Sequence, residues 1–325
     1  MASPIPPPLR IAVIGAGHHS RTFHLPALAH FVRLHPGAAK LTGFVDPDLS
    51  AARVAATSFG FESAHATPEE MMSRAKPDAC FVITPVAVNA RVALQMAREG
   101  LPILMEKPLG ATIAEARQLV KDLTAIDARA MVSMNRRFDP FLRAALAWIG
   151  PKPILHLKAT MTRPARTEPE FVEHTGLHVV DAVCSIGGEV TSRITRRKPS
   201  GGGDSYQADL AFAGGMTASI NLQPIAGVQS ESIELSGDGF RVEVRSAEFD
   251  RGGWRAWSGD RLDKEELLSP GAPLFVANGT YAETEAFIHT ARTGGKFSPA
   301  PADVLPAMEI CHLMATTQPT PPVSP

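Results

Sequence analysis

The sequence predicts an α/β domain with a doubly wound parallel sheet, followed by an α+β domain with a large, mostly antiparallel sheet. Three observations predict it. Up to residue 138, short apolar runs alternate with longer helical patterns, and such alternation implies crossover units and a parallel sheet. From residue 139, after one helix, the chain turns to short runs separated by glycine-rich turns, as an antiparallel meander does. With 325 residues, 44% of them hydrophobic and 20% charged, the chain is long and apolar enough to bury a core in each of the domains 1–138 and 139–325.

In order, strands are expected at 10–14, 41–45, 79–84, 101–105 and 130–133. The helical stretches between them are 18–34, 49–59, 87–98 and 113–126. The runs 80–83 and 103–105 are continuously apolar, which fits a sheet covered on both faces. A helix at 140–149 opens the second domain. Turns at Gly201-Gly202-Gly203-Asp204, Gly214-Gly215, Gly237-Asp238-Gly239, Gly252-Gly253 and Gly259-Asp260 then punctuate runs such as 217–222 and 241–244. One helix, 168–186, interrupts the meander. Thr167, followed by Pro169 and Glu170, resembles its start. Helices at 283–293 and 302–315 close the chain, whose proline-rich ends, 1–10 and 316–325, read as disordered tails.

The formal net charge is −1, from 32 basic and 33 acidic residues, so no nucleic acid or acidic membrane is expected as a partner. Arg193, Arg196, Arg197 and Lys198 read as the solvated end of a strand. Cys80, Cys184 and Cys311 lie far apart, as in a reducing compartment, and Cys80 sits in an apolar run as a core residue. No apolar stretch approaches the roughly 20 residues that span a bilayer, and no apolar signal core opens the chain, so a cytoplasmic location is expected.

Ile14-Gly15-Ala16-Gly17-His18-His19-Ser20 puts a Gly-x-Gly turn between the first strand and the first helix. Gly15 makes the tight turn, Gly17 lets backbone approach a pyrophosphate at the positive helix end, and Ser20 is small enough for close helix–strand packing. After an apolar strand at the start of an alternating α/β domain, this is the mark of a dinucleotide-binding Rossmann domain. Asp46 ends the second strand, where a carboxylate accepts both ribose hydroxyls and repels a 2′-phosphate. It lies 29 residues after Gly17, against about 20 usually, and the 30–40 stretch accounts for the excess. Pro47 and Asp48 follow it, with no arginine, so NAD is expected rather than NADP.

Met105-Glu106-Lys107-Pro108, between a strand and a helix, resembles the Gfo/Idh/MocA family, the relatives of glucose–fructose oxidoreductase and inositol dehydrogenase. Other segments fall in the family's order: Gly15 to Ser20 with His24-Leu25-Pro26-Ala27-Leu28, Asp46-Pro47-Asp48, Thr84-Pro85, Asn135-Arg136-Arg137-Phe138-Asp139-Pro140, and His178-Val179-Val180-Asp181. The resemblance implies an NAD-dependent oxidoreductase, a dehydrogenase or reductase acting at a secondary alcohol carbon of a sugar, cyclitol or related small molecule. It also implies a homodimer or homotetramer assembled through the large sheet. Gly15, Gly17, His18, His19, Ser20, Asp46, Thr84, Pro85, Glu106, Lys107 and Asn135 are the expected cofactor contacts.

Hydride transfer needs a group that exchanges the hydroxyl proton and a charge that stabilises the developing alkoxide. Lys107, just beyond a strand's C-terminal end, suits the second role. His178 is the candidate acid–base group, because an imidazole titrates near neutrality. His174, Asn89, Arg136 and Arg137 are the candidate substrate contacts; for each arginine a structural ion pair is an equal reading. The chain departs from the family in three places. His174 stands where many active members carry aspartate, one helical turn before the histidine, and Val86 and Asn89 replace asparagine and histidine. Glu173 would point about 100° away around the helix, and Asp181 could partner His178. A non-catalytic NAD-binding regulator or sensor is therefore the alternative, with a glycosidase using NAD as a transient oxidant behind it. His174, His178 and Asp181 have the spacing of metal ligands, but the zinc-protease motif is absent and no metal is assigned.

Overall fold

The computed structural model describes residues 7–200, 203–248 and 252–319. Most of both proline-rich ends, and Gly201-Gly202 of one expected turn, lie outside the described residues. The chain divides into two units. One runs through Ser133 and is rejoined by Thr280–Leu305; the other spans Met134–Gly279 and resumes at Pro306.

The first unit holds a six-stranded, all-parallel sheet of β1 (Leu9–Ile14), β2 (Ala39–Val45), β3 (Ala64–His65), β4 (Ala79–Val82), β5 (Ile103–Met105) and β6 (Ala130–Val132), in the order β3-β2-β1-β4-β5-β6. Strands β4 and β5 are buried throughout because helices cover both faces. The helices are α1 (Leu25–Leu34), α2 (Leu49–Phe59), α3 (Pro68–Ala75), α4 (Val86–Arg98) and α5 (Ile113–Ala125). Asp48 caps α2 by accepting from the amides of Ser50 and Ala51. Sequence reading missed α3 and β3, although α3 carries a local signal: Thr67 accepts the Glu70 amide at 3.3 Å, with Pro68 at the first turn. The strand order reverses between β1 and β4, and ligands of open α/β sheets bind beyond the strand ends at such a point.

The second unit contains α6 (Pro140–Ile149), β7 (His156–Thr162), α7 (Leu177–Gly187), β8 (Val190–Ser200), β9 (Gly203–Phe212), β10 (Thr217–Gln223), β11 (Ser230–Gly237), β12 (Phe240–Arg245), β13 (Gly253–Ser258), β14 (Arg261–Leu267) and the short α8 (Leu274–Ala277). Its sheet runs β14-β13-β12-β11-β7-β10-β9-β8. The expected meander is thus two meanders, β8–β10 and β11–β14, with β7 inserted between them. Strand β7 is parallel to β10 and antiparallel to β11. Period-two burial explains its central place: Leu157, Ala159 and Met161 are fully buried while His156 and Lys158 face outward. Helix α7 packs on β7 and β10, and α6 on β12 and β13. The cluster of Arg193 to Lys198 lies within β8, an edge strand, where charge discourages further strand pairing. The helix expected from 168 instead begins at Phe171, whose amide closes a turn onto the carbonyl of Glu168, while Arg166 takes the Glu168 side chain.

Helix α9 (Thr280–Thr293) and the start of α10 (Pro301–Thr316) return to the first unit. Phe287 meets Phe81 of β4 edge-on at 4.9 Å, Ser133 donates to Glu283 at 2.8 Å, and the Val132 amide bonds to the Pro299 carbonyl. The compact units therefore differ from the expected division at 138/139: local pattern registers where helix gives way to strand, but not which sheet a late amphipathic helix covers. All three cysteines are buried thiols, and burial raises each above its usual range. Among the described residues, no helix is long and apolar enough to cross a membrane.

Asp139 caps α6, accepting from the amides of Phe141 and Leu142 at 2.9 and 3.1 Å. Burial pushes its carboxyl up to about 6, against the pull of those amides and Arg136. A folded pKa above the unfolded one favours the native state in acid, and that contribution is lost as pH rises from about 4 through 6. Asp139→Asn keeps the cap and removes the charge. The variant is expected to gain about 2–3 kcal/mol on the wild type between pH 4 and 7, read from urea unfolding at both pH values. A difference that does not change with pH would reject this.

Candidate functional site

The carboxyl ends of β1 and β4 open on a cleft lined by Gly17, His18, His19, Ser20, Ile83, Thr84, Pro85, Val86, Glu106 and Lys107. Gly15 makes the cleft's tight turn. It has φ +110°, a backbone conformation unsuited to a side chain, and an added Cβ would lie 2.0 Å from the carbonyl oxygen of Ile83. Gly17 is different in kind. Nothing lies within 4 Å of the Cβ it lacks, so the space over it belongs to the cleft. That is the cradle a pyrophosphate needs, on the first amides of a helix. Ser20 is fully buried beneath it, as close packing at the third position requires. Asp46 ends β2 beside this loop. Its two oxygens accept the Ala16 amide at 2.8 Å and the Asp48 amide at 2.9 Å, and each keeps a lone pair. The carboxylate that would read a ribose thus also holds the phosphate loop in shape.

Glu106 follows β5 and is buried at the cleft's inner wall. Its Oε1 accepts from His24 Nε2 at 2.8 Å and His19 Nε2 at 3.1 Å, and its Oε2 from the Lys107 amide at 3.1 Å. Burial would raise this carboxyl, but the two imidazoles outweigh it and hold it well below the usual range. Burial in turn lowers His24, whose neutral ring donates through Nε2. Lys107 is partly exposed on the cleft, and the bond to Pro108 is cis. His24, which stands in the sequence only as part of a motif, holds Glu106 in the fold. No periodic signal could have found it, because a π-helical turn at Ser20–His24 places it.

Several of the expected contact residues have internal partners. Asn89 is 1% exposed and touches no open space. It donates to the Glu106 carbonyl at 2.5 Å and accepts from Thr84 Oγ1 at 3.1 Å, so it braces the cleft wall. Arg136 is also buried, forming two bonds to Glu231 at 2.7 and 3.1 Å and one to Glu248 at 2.5 Å. Arg137 grips Asp181 with bonds of 2.7 and 2.6 Å, so each arginine has a structural ion pair. The short 3₁₀ turn at Asn135–Phe138 turns these side chains into the unit's core. Asn135 is buried too, donating to the Asn278 carbonyl at 3.0 Å.

His178 lies on α7, partly exposed with its Nδ1 edge buried. His174 lies in a π-helical turn, Val172–Gly176, immediately before α7. The single α-helical turn expected between the two is therefore replaced by a wider one. Gly176 belongs to that turn, and a Cβ there would press on Leu222 at 2.7 Å. Glu173 does point elsewhere, to His312 Nδ1 at 2.9 Å.

Residues 9–134 match the model of an oxidoreductase family with an NAD-binding Rossmann fold. The inositol 2-dehydrogenase of Pseudarthrobacter chlorophenolicus is 28% identical over 231 residues, 66% of this chain and 66% of that protein. The scyllo-inositol 2-dehydrogenase (NAD(+)) of Bacillus subtilis is 29% identical over 198 residues, 57% of this chain and 56% of its own. The match thus spans between 56% and 66% of the length of these curated relatives. The crystal structure of a dehydrogenase from Chromobacterium violaceum superposes with TM-score 0.84 at 16% identity, covering 95% of each chain. That likeness extends the fold over both units' elements, although the family model reaches only the first.

Proposed function

We propose, because the chain belongs to the Gfo/Idh/MocA family of oxidoreductases, that it is an NAD-dependent dehydrogenase or reductase. Its reaction moves a hydride between nicotinamide and a secondary alcohol or ketone carbon of a sugar, cyclitol or related small molecule. The observation that carries this reading is the convergence of the Gly-x-Gly loop, Thr84-Pro85 and Glu106-Lys107 on one cleft. Relatives named for inositol support the substrate class. NAD is preferred to NADP because the Asp46 carboxylate would face a 2′-phosphate with like charge.

NAD, when bound, supplies the hydride acceptor or donor. Lys107 orients the substrate oxygen and stabilises negative charge as it develops there. Glu106, held charged by two imidazoles, fixes the Lys107 backbone through its amide. His178 is the proposed acid–base group that takes the hydroxyl proton, and His174 the proposed substrate contact. The same reading extends to a homodimer or homotetramer in the cytoplasm.

Cofactor reduction, followed by absorbance across sugars, inositols and sugar acids, tests the proposal. Turnover is expected on at least one compound, and His178→Ala is expected to lower it about 10²-fold or more. Undiminished turnover in that variant rejects the acid–base role. Tight NAD binding with no turnover anywhere replaces the enzyme with a sensor, the outcome that His174 in place of aspartate would favour. A lower KM for NADP than for NAD overturns the cofactor preference.

A further inference from the structure

His19, His24 and Glu106 form a cluster whose ligand atoms all lie within 4.8 Å of one another. Its construction is unusual. An α-helix turns about 100° per residue, so residues five apart diverge by about 140° around the axis. His19 and His24 are five apart, yet both Nε2 atoms reach the same carboxylate oxygen, at 3.1 and 2.8 Å. The π-helical turn at Ser20–His24 makes this possible. Its i→i+5 pattern, closed by the Leu25 amide on the Ser20 carbonyl, adds one residue to the turn and swings His24 back beneath His19. Glu106 arrives from the end of β5, 82 residues from His24.

We propose that His19, His24 and Glu106 bind a divalent first-row transition metal ion, zinc in the first instance. Two imidazole nitrogens with one carboxylate oxygen are the donor set of three-ligand zinc sites that keep an open position. Magnesium and calcium prefer oxygen donors and do not suit it. The open side is the cleft: His19 is 49% exposed and lines it together with Glu106, whereas His24 is 1% exposed and closes the inner side. Coordination replaces the two hydrogen bonds on Oε1. Each imidazole then presents its Nε2 lone pair; the His19 proton moves to that ring's Nδ1, and the His24 proton likewise to its own Nδ1. That atom is buried and makes no hydrogen bond, so the site lacks the outer acceptor that strengthens histidine ligation. Its affinity is accordingly about 10–100-fold below that of a fully supported site.

Full-length, tag-free protein stripped with EDTA and dialysed is titrated with Co²⁺, read by visible absorbance, and with Zn²⁺, read by calorimetry. No dinucleotide is present, so the outcome is independent of the proposed reaction. One equivalent of each metal is expected to bind, with Co²⁺ giving the intense d–d bands of a four-coordinate ion. His19→Ala, at a half-exposed position that leaves the fold intact by circular dichroism, and Glu106→Gln are each expected to weaken binding at least about 100-fold. Absence of stoichiometric binding overturns the site. So does binding of wild-type strength in His19→Ala, which would put the metal elsewhere, for instance on His174 and His178.

Discussion

Replacing Gly15 by alanine is expected to destabilise the first unit by about 3–5 kcal/mol, whereas the same change at Gly17 is expected to leave stability within about 0.5 kcal/mol. The two glycines stand two residues apart in one loop and look equivalent in the sequence. At Gly15, φ is +110° and the new Cβ would meet a backbone carbonyl at 2.0 Å, so neither a rotamer change nor a small shift relieves the overlap. Its amide is also bonded to the Val45 carbonyl at 2.8 Å and Ile14 to Ile83 at the same distance, which ties the loop to both neighbouring strands. At Gly17 the Cβ would enter open cleft, the place kept for the diphosphate. Gly17→Ala should therefore lose NAD affinity at least about tenfold with an unchanged urea midpoint, and Gly15→Ala should lose both. Equal affinity for NAD in wild type and Gly17→Ala would remove the diphosphate from this loop.

Glu231→Gln is expected to cost about 3–5 kcal/mol of stability, although glutamine is nearly isosteric. The Glu231 carboxylate is shared by Arg136 and Arg163, all three buried, with Glu248 on the far side of Arg136. Burial alone would raise its carboxyl, but the two guanidiniums hold it below the usual range. An amide removes the charge both arginines share while they remain in low dielectric, leaving Arg136 with Glu248 alone as an ion-pair partner and Arg163 without its buried carboxylate. The pH dependence runs opposite to that of Asp139. A lowered folded pKa gives stability above the usual carboxylate range that is lost as pH falls through the folded value. Urea unfolding at neutral pH reads the difference, and a loss under about 1 kcal/mol would mean that Glu231 contributes little beyond its shape.

What the sequence determined by itself is local. Alternating apolar runs fixed the parallel sheet, because strand and helix periodicities are properties of neighbouring residues. The Gly-x-Gly turn, Asp46 at the end of a strand and Lys107 beyond another were legible for the same reason: main-chain geometry places each within a few residues of its element. Tertiary structure decided the rest. In the sequence Arg136 and Arg137 read equally as anion contacts or as ion pairs, and only the fold supplies their partners 95 and 44 residues away, Glu231 and Asp181. Asn89 became a brace only when Glu106, 17 residues on, came beside it across β5. The insertion of β7 between two meanders, the return of α9 to the first sheet and the π-helical turn that aims two histidines at one carboxylate have no periodic signature. Each is settled by which groups can be buried together with their hydrogen bonds and charges met, and that is a property of the folded whole.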